Sequence, residues 1–588
     1  MKVTRVFDLL TQQVQEFPQP DCLAAKINGE WVKYSTQQVI DTANTLSLAL
    51  IKSGIKKDDK VALISMNRPE WVFADYGIQQ TGAVSVPMYP TITVEDYRFI
   101  LQDSETKLIL VSTEDLYNKV KEAAEGLTGI QGIYTFDQVP GAKHWSELLK
   151  LAEGEDAATL EPYKAAVTPQ DLLSIIYTSG TTGAPKGVML SHNNLVSNFT
   201  AVKPFVPVSA EHRALSFLPL CHIYERMVSC IYLSVGVSIY FAESIDKVGD
   251  NLKEVKPHIF VTVPRLLEKV YDKIVAKGSE LTGIKKGLFF WALNLGQKYD
   301  TRKSPGAFYD MQLKLARKLI FSKWKDALGG NIKVIVSGGA ALQPRLARVF
   351  WGADIRIMEG YGLTETSPVI AVNRYEPEDN AIGTVGPVID GVEVKIAADG
   401  EILTRSPSVM VGYYKHPELT AEVIDPDGWF HTGDIGELVE GRFLKITDRK
   451  KEMFKTSGGK YVAPQLIENK LKESLVIEQV MVVGEGEKFP GALIVPAFEG
   501  LQEWCKIHHI PYTTNEEMIQ KPEVLEKFQK EIDKANETLA QYERIKKFVV
   551  LPKAWSIESG EMTPKLSIKR KVITANNKDL IEGLYRTA

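Results

Sequence analysis

Residues 177–187 read YTSGTTGAPKG and follow directly on the apolar run LLSII at 172–176. An apolar run of that length bounded by turn residues is a buried strand, so the glycine-rich segment is the loop that leaves it. Gly180, Gly183 and Gly187 let backbone approach a ligand closely, Thr178, Ser179, Thr181 and Thr182 supply hydroxyl donors, and Lys186 supplies a cation. Such a set suits phosphate oxygens. It is not a Walker A loop, which ends in Gly-Lys-Ser/Thr, because Lys186 stands between Pro185 and Gly187.

Working outward, KVALISM (60–66), KLILVS (107–112), HIFVTVP (258–264) and KVIVSGG (333–339) repeat the strand pattern between longer amphipathic stretches. Buried strands alternating with helices predict an α/β fold with large, stacked, mostly parallel sheets, whose ligand loops lie beyond the carboxyl ends of the strands. From about Gly383 to 447 the strands become shorter and are separated by Gly, Pro and Asp turns, predicting a β-rich subdomain. Residues 449–588 carry 23 basic and 20 acidic side chains, net +3, while residues 1–448 carry 47 and 54, net −7. We therefore expect an N-terminal region over 1–447 and a smaller α+β C-terminal domain over 448–588, with a helix from Glu516 to Arg544.

The total of 588 residues and a net charge of −4 give no global attraction for nucleic acid. Four cysteines, Cys22, Cys221, Cys230 and Cys505, are too sparse for a disulfide scaffold or structural zinc and fit a cytoplasmic protein. The start, MKVTRVFDLLTQQVQEF, lacks the apolar core of a secretory signal, and the longest apolar stretch, Ile231 to Ala242, is too short to span a bilayer.

Further motifs bear on chemistry. Gly360 to Pro368 reads GYGLTETSP; Asp427 to Gly436 reads DGWFHTGDIG; Asp448 to Glu468 reads DRKKEMFKTSGGKYVAPQLIE. A carboxylate such as Asp434 is a natural acceptor for a vicinal diol, and Glu365 offers the oxygen ligand a hard divalent ion prefers. Together with the 177–187 loop, these segments resemble, in order, the motifs of the adenylate-forming (AMP-binding) superfamily, and LPLCHIYER (218–226) resembles its long-chain fatty acyl-CoA synthetase branch.

The resemblance implies roles. The loop Thr178–Gly183 with Lys186 would bind ATP phosphates; Gly338 and Gly339 would wall the adenine; Gly360, Tyr361 and Gly362 would pack near it. Thr364 would contact the α-phosphate, Glu365 would hold Mg²⁺, and Asp434 would accept from both ribose hydroxyls. Arg449 would reach the nucleotide, Lys451 would be a hinge for a mobile C-terminal domain, and Lys451 and Lys455 would contact the adenylate. Gly459 and Tyr461 belong to a strand expected to line the pantetheine tunnel of coenzyme A. His222 would position the acyl carboxylate or the adenylate, and Arg265 would lie near the mouth of the fatty-acid tunnel.

One departure stands out. GEMTPKLSIKRK (560–571) places Ser567 where relatives carry the adenylation lysine. If the segment is extended, Lys565, Ser567 and Lys569 project to one side, so Lys565, or else Lys569, is the substitute. The expected activity is ligation of a long-chain fatty acid to CoA through an acyl-adenylate, with ATP and CoA as co-substrates. Passage of the acyl group to a carrier protein, or non-catalytic nucleotide binding, are the rival readings. No obligatory protein partner is implied, and a fatty-acid substrate is compatible with peripheral contact at the inner membrane face.

Overall fold

The structure is a computed structural model that describes residues 2–178, 185–556, 558–563 and 567–586. Two eight-stranded sheets dominate it. One has the order Val369–Val372, Arg356–Gly362, Val334–Ser337, Ile259–Thr262, Arg213–Ser216, Ser238–Phe241, Leu23–Ile27, Glu30–Tyr34. Its six inner strands run parallel and both edges are antiparallel. The other has the order Gly412–Tyr413, Lys186–Ser191, Leu172–Thr178, Val84–Met88, Lys60–Ile64, Thr106–Val111, Gly132–Thr135, Lys143–His144. Every apolar run named above is a strand in one of these sheets, and the intervening helices cover them. The resulting core takes in buried residues from Val6 to Phe430.

A four-stranded antiparallel sheet follows, Glu393–Ile396, Glu401–Arg405, Phe430–Val439 and Phe443–Arg449, as the turn-rich sequence predicts. Beyond it, Phe454 to Val550 build a separate apolar cluster around the strands Ile477–Val483, Gly491–Pro496 and Lys547–Val550. The helix expected over Glu516 to Arg544 is instead two helices, Asn515–Met518 and Pro522–Asn536. Pro522 starts the second, where its missing N–H costs nothing, and the helix stops before Arg544.

The segment after Leu172–Thr178 departs from the parallel βα pattern. Thr178 pairs with Lys186, and Lys186–Ser191 returns antiparallel beside Leu172–Thr178. Ser191 then caps the helix His192–Val202 in a reciprocal box with Asn194. The Asn194 side-chain amide donates to the carbonyls of Pro407 and Val409 at 2.8 and 2.9 Å. That bond seats the edge strand Gly412–Tyr413 against Lys186–Ser191.

Candidate active site

Ser179, Gly180, Thr181, Thr182 and Gly183 lie outside the described residues, as does Lys565. The two residues that frame the loop, Thr178 and Lys186, face each other across the antiparallel strand pair. The Lys186 ammonium sits 5.2 Å from the centroid of the Tyr413 ring, and the Tyr413 hydroxyl donates to Glu365 Oε1 at 3.0 Å. Burial, and then the Glu365 carboxylate, push the Tyr413 phenol far up, so it stays a donor. Loop cation and candidate metal ligand are thus coupled through one tyrosine that no sequence motif singled out.

Thr364 and Glu365 sit in the short turn Thr364–Thr366 that follows the strand Arg356–Gly362. Only glycine fits at 362, because a Cβ there would stand 1.7 Å from the Pro368 carbonyl oxygen. The close approach folds the TETSP segment back on its own strand, and Asn198 holds the return by bonding both Val369 backbone groups, at 2.8 and 3.1 Å. Thr364 is buried.

Tyr361 donates to Asp434 Oδ2 at 2.6 Å, while Arg449, the direct partner of Asp434 on the neighbouring strand, stands 3.5 Å from Oδ1. Burial raises the Asp434 carboxyl, opposed by Arg449 and the Tyr361 bond. The Gly433–Asp434 turn is anchored by Glu401, which accepts from the Gly433 N–H at 2.9 Å and from Lys450 at 2.8 Å. Although burial pushes Glu401 up, those bonds bring it below the usual carboxylate range. Within the basic run at 449–455, Lys450 is therefore engaged with Glu401 and Asp399.

His222 is the N-cap of the helix Ile223–Ser234, its Nδ1 accepting from the Tyr224 N–H at 3.1 Å. Its ring lies 6.4 Å from that of Tyr89. Tyr224 packs on Gly338, where a Cβ would meet its ring at 3.1 Å, so the histidine loop and the Gly338–Gly339 segment share a wall. Asn67 steadies that loop by bonding Leu218 O at 2.6 Å and the Leu220 N–H at 3.0 Å. Two residues before Tyr361, Glu359 is buried and its carboxyl is pushed up to about 8 by desolvation.

The remaining predicted residues form a second group. Lys455 pairs with Tyr461 in a two-stranded ribbon, its ammonium 4.6 Å from the tyrosine ring, and Gly459 takes the positive φ of 76° that the turn needs. Tyr461 is 57% exposed. Among the described residues no hydrogen bond, ion pair or ring contact joins Lys455, Gly459, Tyr461 or Lys569 to Tyr361, Thr364, Glu365 or Asp434. Lys451 lies two residues beyond Arg449, the last residue of the strand Phe443–Arg449 in the four-stranded sheet.

One expectation is corrected. The tail is not one extended run: Met562 pairs antiparallel with Ile568, and the Thr563 N–H donates to the Ser567 carbonyl at 2.8 Å. Residues 567–569 therefore return along 561–563, and Arg570, bonded to buried Glu468 at 2.6 Å and to Glu452 at 3.0 Å, fixes the returning arm. Arg265 pairs with Glu478, a residue of the C-terminal cluster's first strand, and with Glu268 at 3.4 Å. The pair with Glu478 bridges the two halves of the chain.

The fold and these segments define an adenylate-forming architecture. The sequence matches the model of the AMP-binding enzyme family over residues 10–414 and that of the AMP-binding enzyme C-terminal domain over 452–588, and the chain belongs to this family. It is 34% identical to the long-chain-fatty-acid–CoA ligase FadD15 of Mycobacterium tuberculosis, over 95% of this chain and 93% of that protein. It is 30% identical to human long-chain-fatty-acid–CoA ligase 1, over 100% of this chain and 87% of that one. The crystal structure of the adenylation domain of a carboxylate reductase from Mycobacterium chelonae superposes with a TM-score of 0.77 at 21% identity, covering 99% of this chain and 91% of that one.

Proposed function

We infer that this protein is an ATP-dependent ligase that joins a long-chain fatty acid to coenzyme A through an acyl-adenylate, releasing pyrophosphate and then AMP. The observation that carries the reading is the pairing of Lys186, Tyr413 and Glu365 beside Tyr361, Asp434 and Arg449, in a chain whose full-length relatives bear that name. Transfer to a carrier protein and non-catalytic binding have no comparable support.

Thr178 and Lys186 would flank the departing phosphates, and Thr364 would contact the α-phosphate as the carboxylate attacks it. This is catalysis by positioning and charge stabilisation. Asp434 would take the ribose hydroxyls, with Tyr361 and Arg449 orienting its two oxygens. The donor set at Glu365 fits Mg²⁺: a partly exposed carboxylate whose Oε1 is held by Tyr413 and whose Oε2 takes no hydrogen bond among the described residues. Mg²⁺ bound there would neutralise charge on the substrate phosphates.

The division at about residue 447 and rotation of residues 448–588 about Lys451 belong to the same reading. Such a swing would exchange the tail carrying Lys565 and Lys569 for the Gly459–Tyr461 ribbon between the two half-reactions. Incubation with ATP, palmitate and CoA tests the assignment. Palmitoyl-CoA and AMP are the expected products; accumulation of palmitoyl-AMP without thioester overturns the CoA step, and absence of pyrophosphate release overturns the enzyme reading.

A further inference from the structure

We propose that the helical segment 283–325 docks on an anionic lipid bilayer. Twenty large hydrophobic side chains are exposed among the described residues, and six of them fall here: Ile284, Leu288, Phe308, Met311, Leu315 and Leu319. Phe308 and Met311 are 70% and 61% exposed on the helix Ala307–Ala316, and Leu315 and the following π-helical turn, Arg317–Phe321, continue the row. Intervals of three, four and four residues put these side chains on one face, opposite the buried Tyr309, Leu313 and Ala316. Ile284 and Leu288 sit one turn apart at the start of the helix Gly283–Gln297, which packs beside it.

Charge decides the occupant. Residues 283–325 hold ten Lys or Arg and two Asp, a net of +8, in a chain whose total is −4. Both acids are engaged, Asp300 with Arg348 and Asp310 with the Ser304 hydroxyl. Lys285, Lys286, Lys314, Lys318 and Lys323 make no ion pair with the described residues. An apolar row rimmed by unneutralised lysines matches an interface of acyl chains below anionic headgroups, to which the apolar row adds insertion and each lysine adds attraction. Of the described helices none is long and apolar enough to cross the bilayer, so the contact is peripheral.

The test uses the full chain and needs no ATP, CoA or fatty acid, so its outcome is independent of the ligase reading. Partition onto vesicles of phosphatidylcholine alone and of phosphatidylcholine with phosphatidylglycerol is measured by co-sedimentation at low and high salt. Wild type should bind the mixed vesicles preferentially and lose that preference in salt. Lys318→Glu with Lys323→Glu should weaken partition roughly fivefold per lysine on mixed vesicles only. Phe308→Ser with Leu315→Ser should weaken it on both. Both pairs are exposed, and matching melting temperatures confirm folding. Equal binding to the two vesicle types, variants that partition like wild type, or a wild-type dimer in sedimentation velocity that Phe308→Ser with Leu315→Ser dissociates would each overturn the proposal.

Discussion

The Tyr361 hydroxyl donates to Asp434 Oδ2 at 2.6 Å while Arg449 approaches the opposite oxygen at 3.5 Å. Asp434 is only 6% exposed, so each partner lowers the cost of keeping a carboxylate at that depth. Tyr361→Phe removes one charge-assisted bond, for which about 1.5–3 kcal/mol is usual. A rise in the KM for ATP of roughly tenfold is expected, with kcat changed less. Asp434→Ala, which removes the acceptor itself, should lower kcat/KM for ATP by roughly a hundredfold. Steady-state pyrophosphate release read against ATP concentration decides it. If Tyr361→Phe leaves the KM unmoved, the carboxylate is oriented by Arg449 alone.

Tyr413 joins the loop lysine to Glu365, and its two contacts can be separated. Tyr413→Phe keeps the ring that Lys186 overlies but leaves Glu365 Oε1 without its donor. An outer-shell bond to a ligating carboxylate typically changes metal affinity about tenfold or more. The Mg²⁺ concentration for half-maximal pyrophosphate release should rise by that order in Tyr413→Phe and further in Glu365→Gln. Identical Mg²⁺ titrations for wild type and both variants would remove Glu365 from the metal site.

Much of this was readable from sequence because phosphate, diol and cation recognition each need particular residue types in short runs. Thr178, Lys186, Thr364, Glu365, Asp434 and Arg449 all belong to such runs, and the parallel strands announced themselves as apolar segments. Tyr413 and Glu401 were not readable. Each reaches its partner through long-range pairing of strands, Val188 with Tyr413 and Glu401 with Ile435, and nothing local marks them. The tail misled for the opposite reason: period-two projection of Lys565 and Lys569 assumed a continuous strand, and the pairing of Met562 with Ile568 cancels it.

Glu225, in the same motif as His222, lies in the core with Ser216 donating to its Oε1 at 2.5 Å, and desolvation pushes its carboxyl up to about 8. A folded-state value above the unfolded one means that the proton is bound more tightly by the folded chain. The associated stability is complete below about 4.5, declines as pH rises, and is gone above about 8. The loss can reach about 1.4 kcal/mol per pH unit inside that window. Glu225→Gln cannot ionise and should melt like wild type at pH 5, then increasingly above it toward pH 8. Melting curves that stay parallel from pH 5 to 9 would mean that Glu225 is not the titrating group.

The replacement for the missing lysine is the sharpest test of the tail. Ser567 cannot stabilise charge on the α-phosphate, so one of the neighbouring lysines must do so if adenylation proceeds. Arg570 ties the arm that carries Lys569 to Glu468 and Glu452, which restricts how far Lys569 can travel without the whole domain. Lys565 is therefore the first candidate and Lys569 the second. Lys565→Met should cut pyrophosphate release by roughly a hundredfold or more, the scale for losing one oriented group facing developing charge. Thioester formation from supplied palmitoyl-AMP should stay near wild type, because the tail would then have swung away. If Lys569→Met shows that split and Lys565→Met does not, the assignment passes to Lys569. Unchanged pyrophosphate release in both variants would mean that neither lysine serves adenylation, and that the charge is met from the N-terminal region alone.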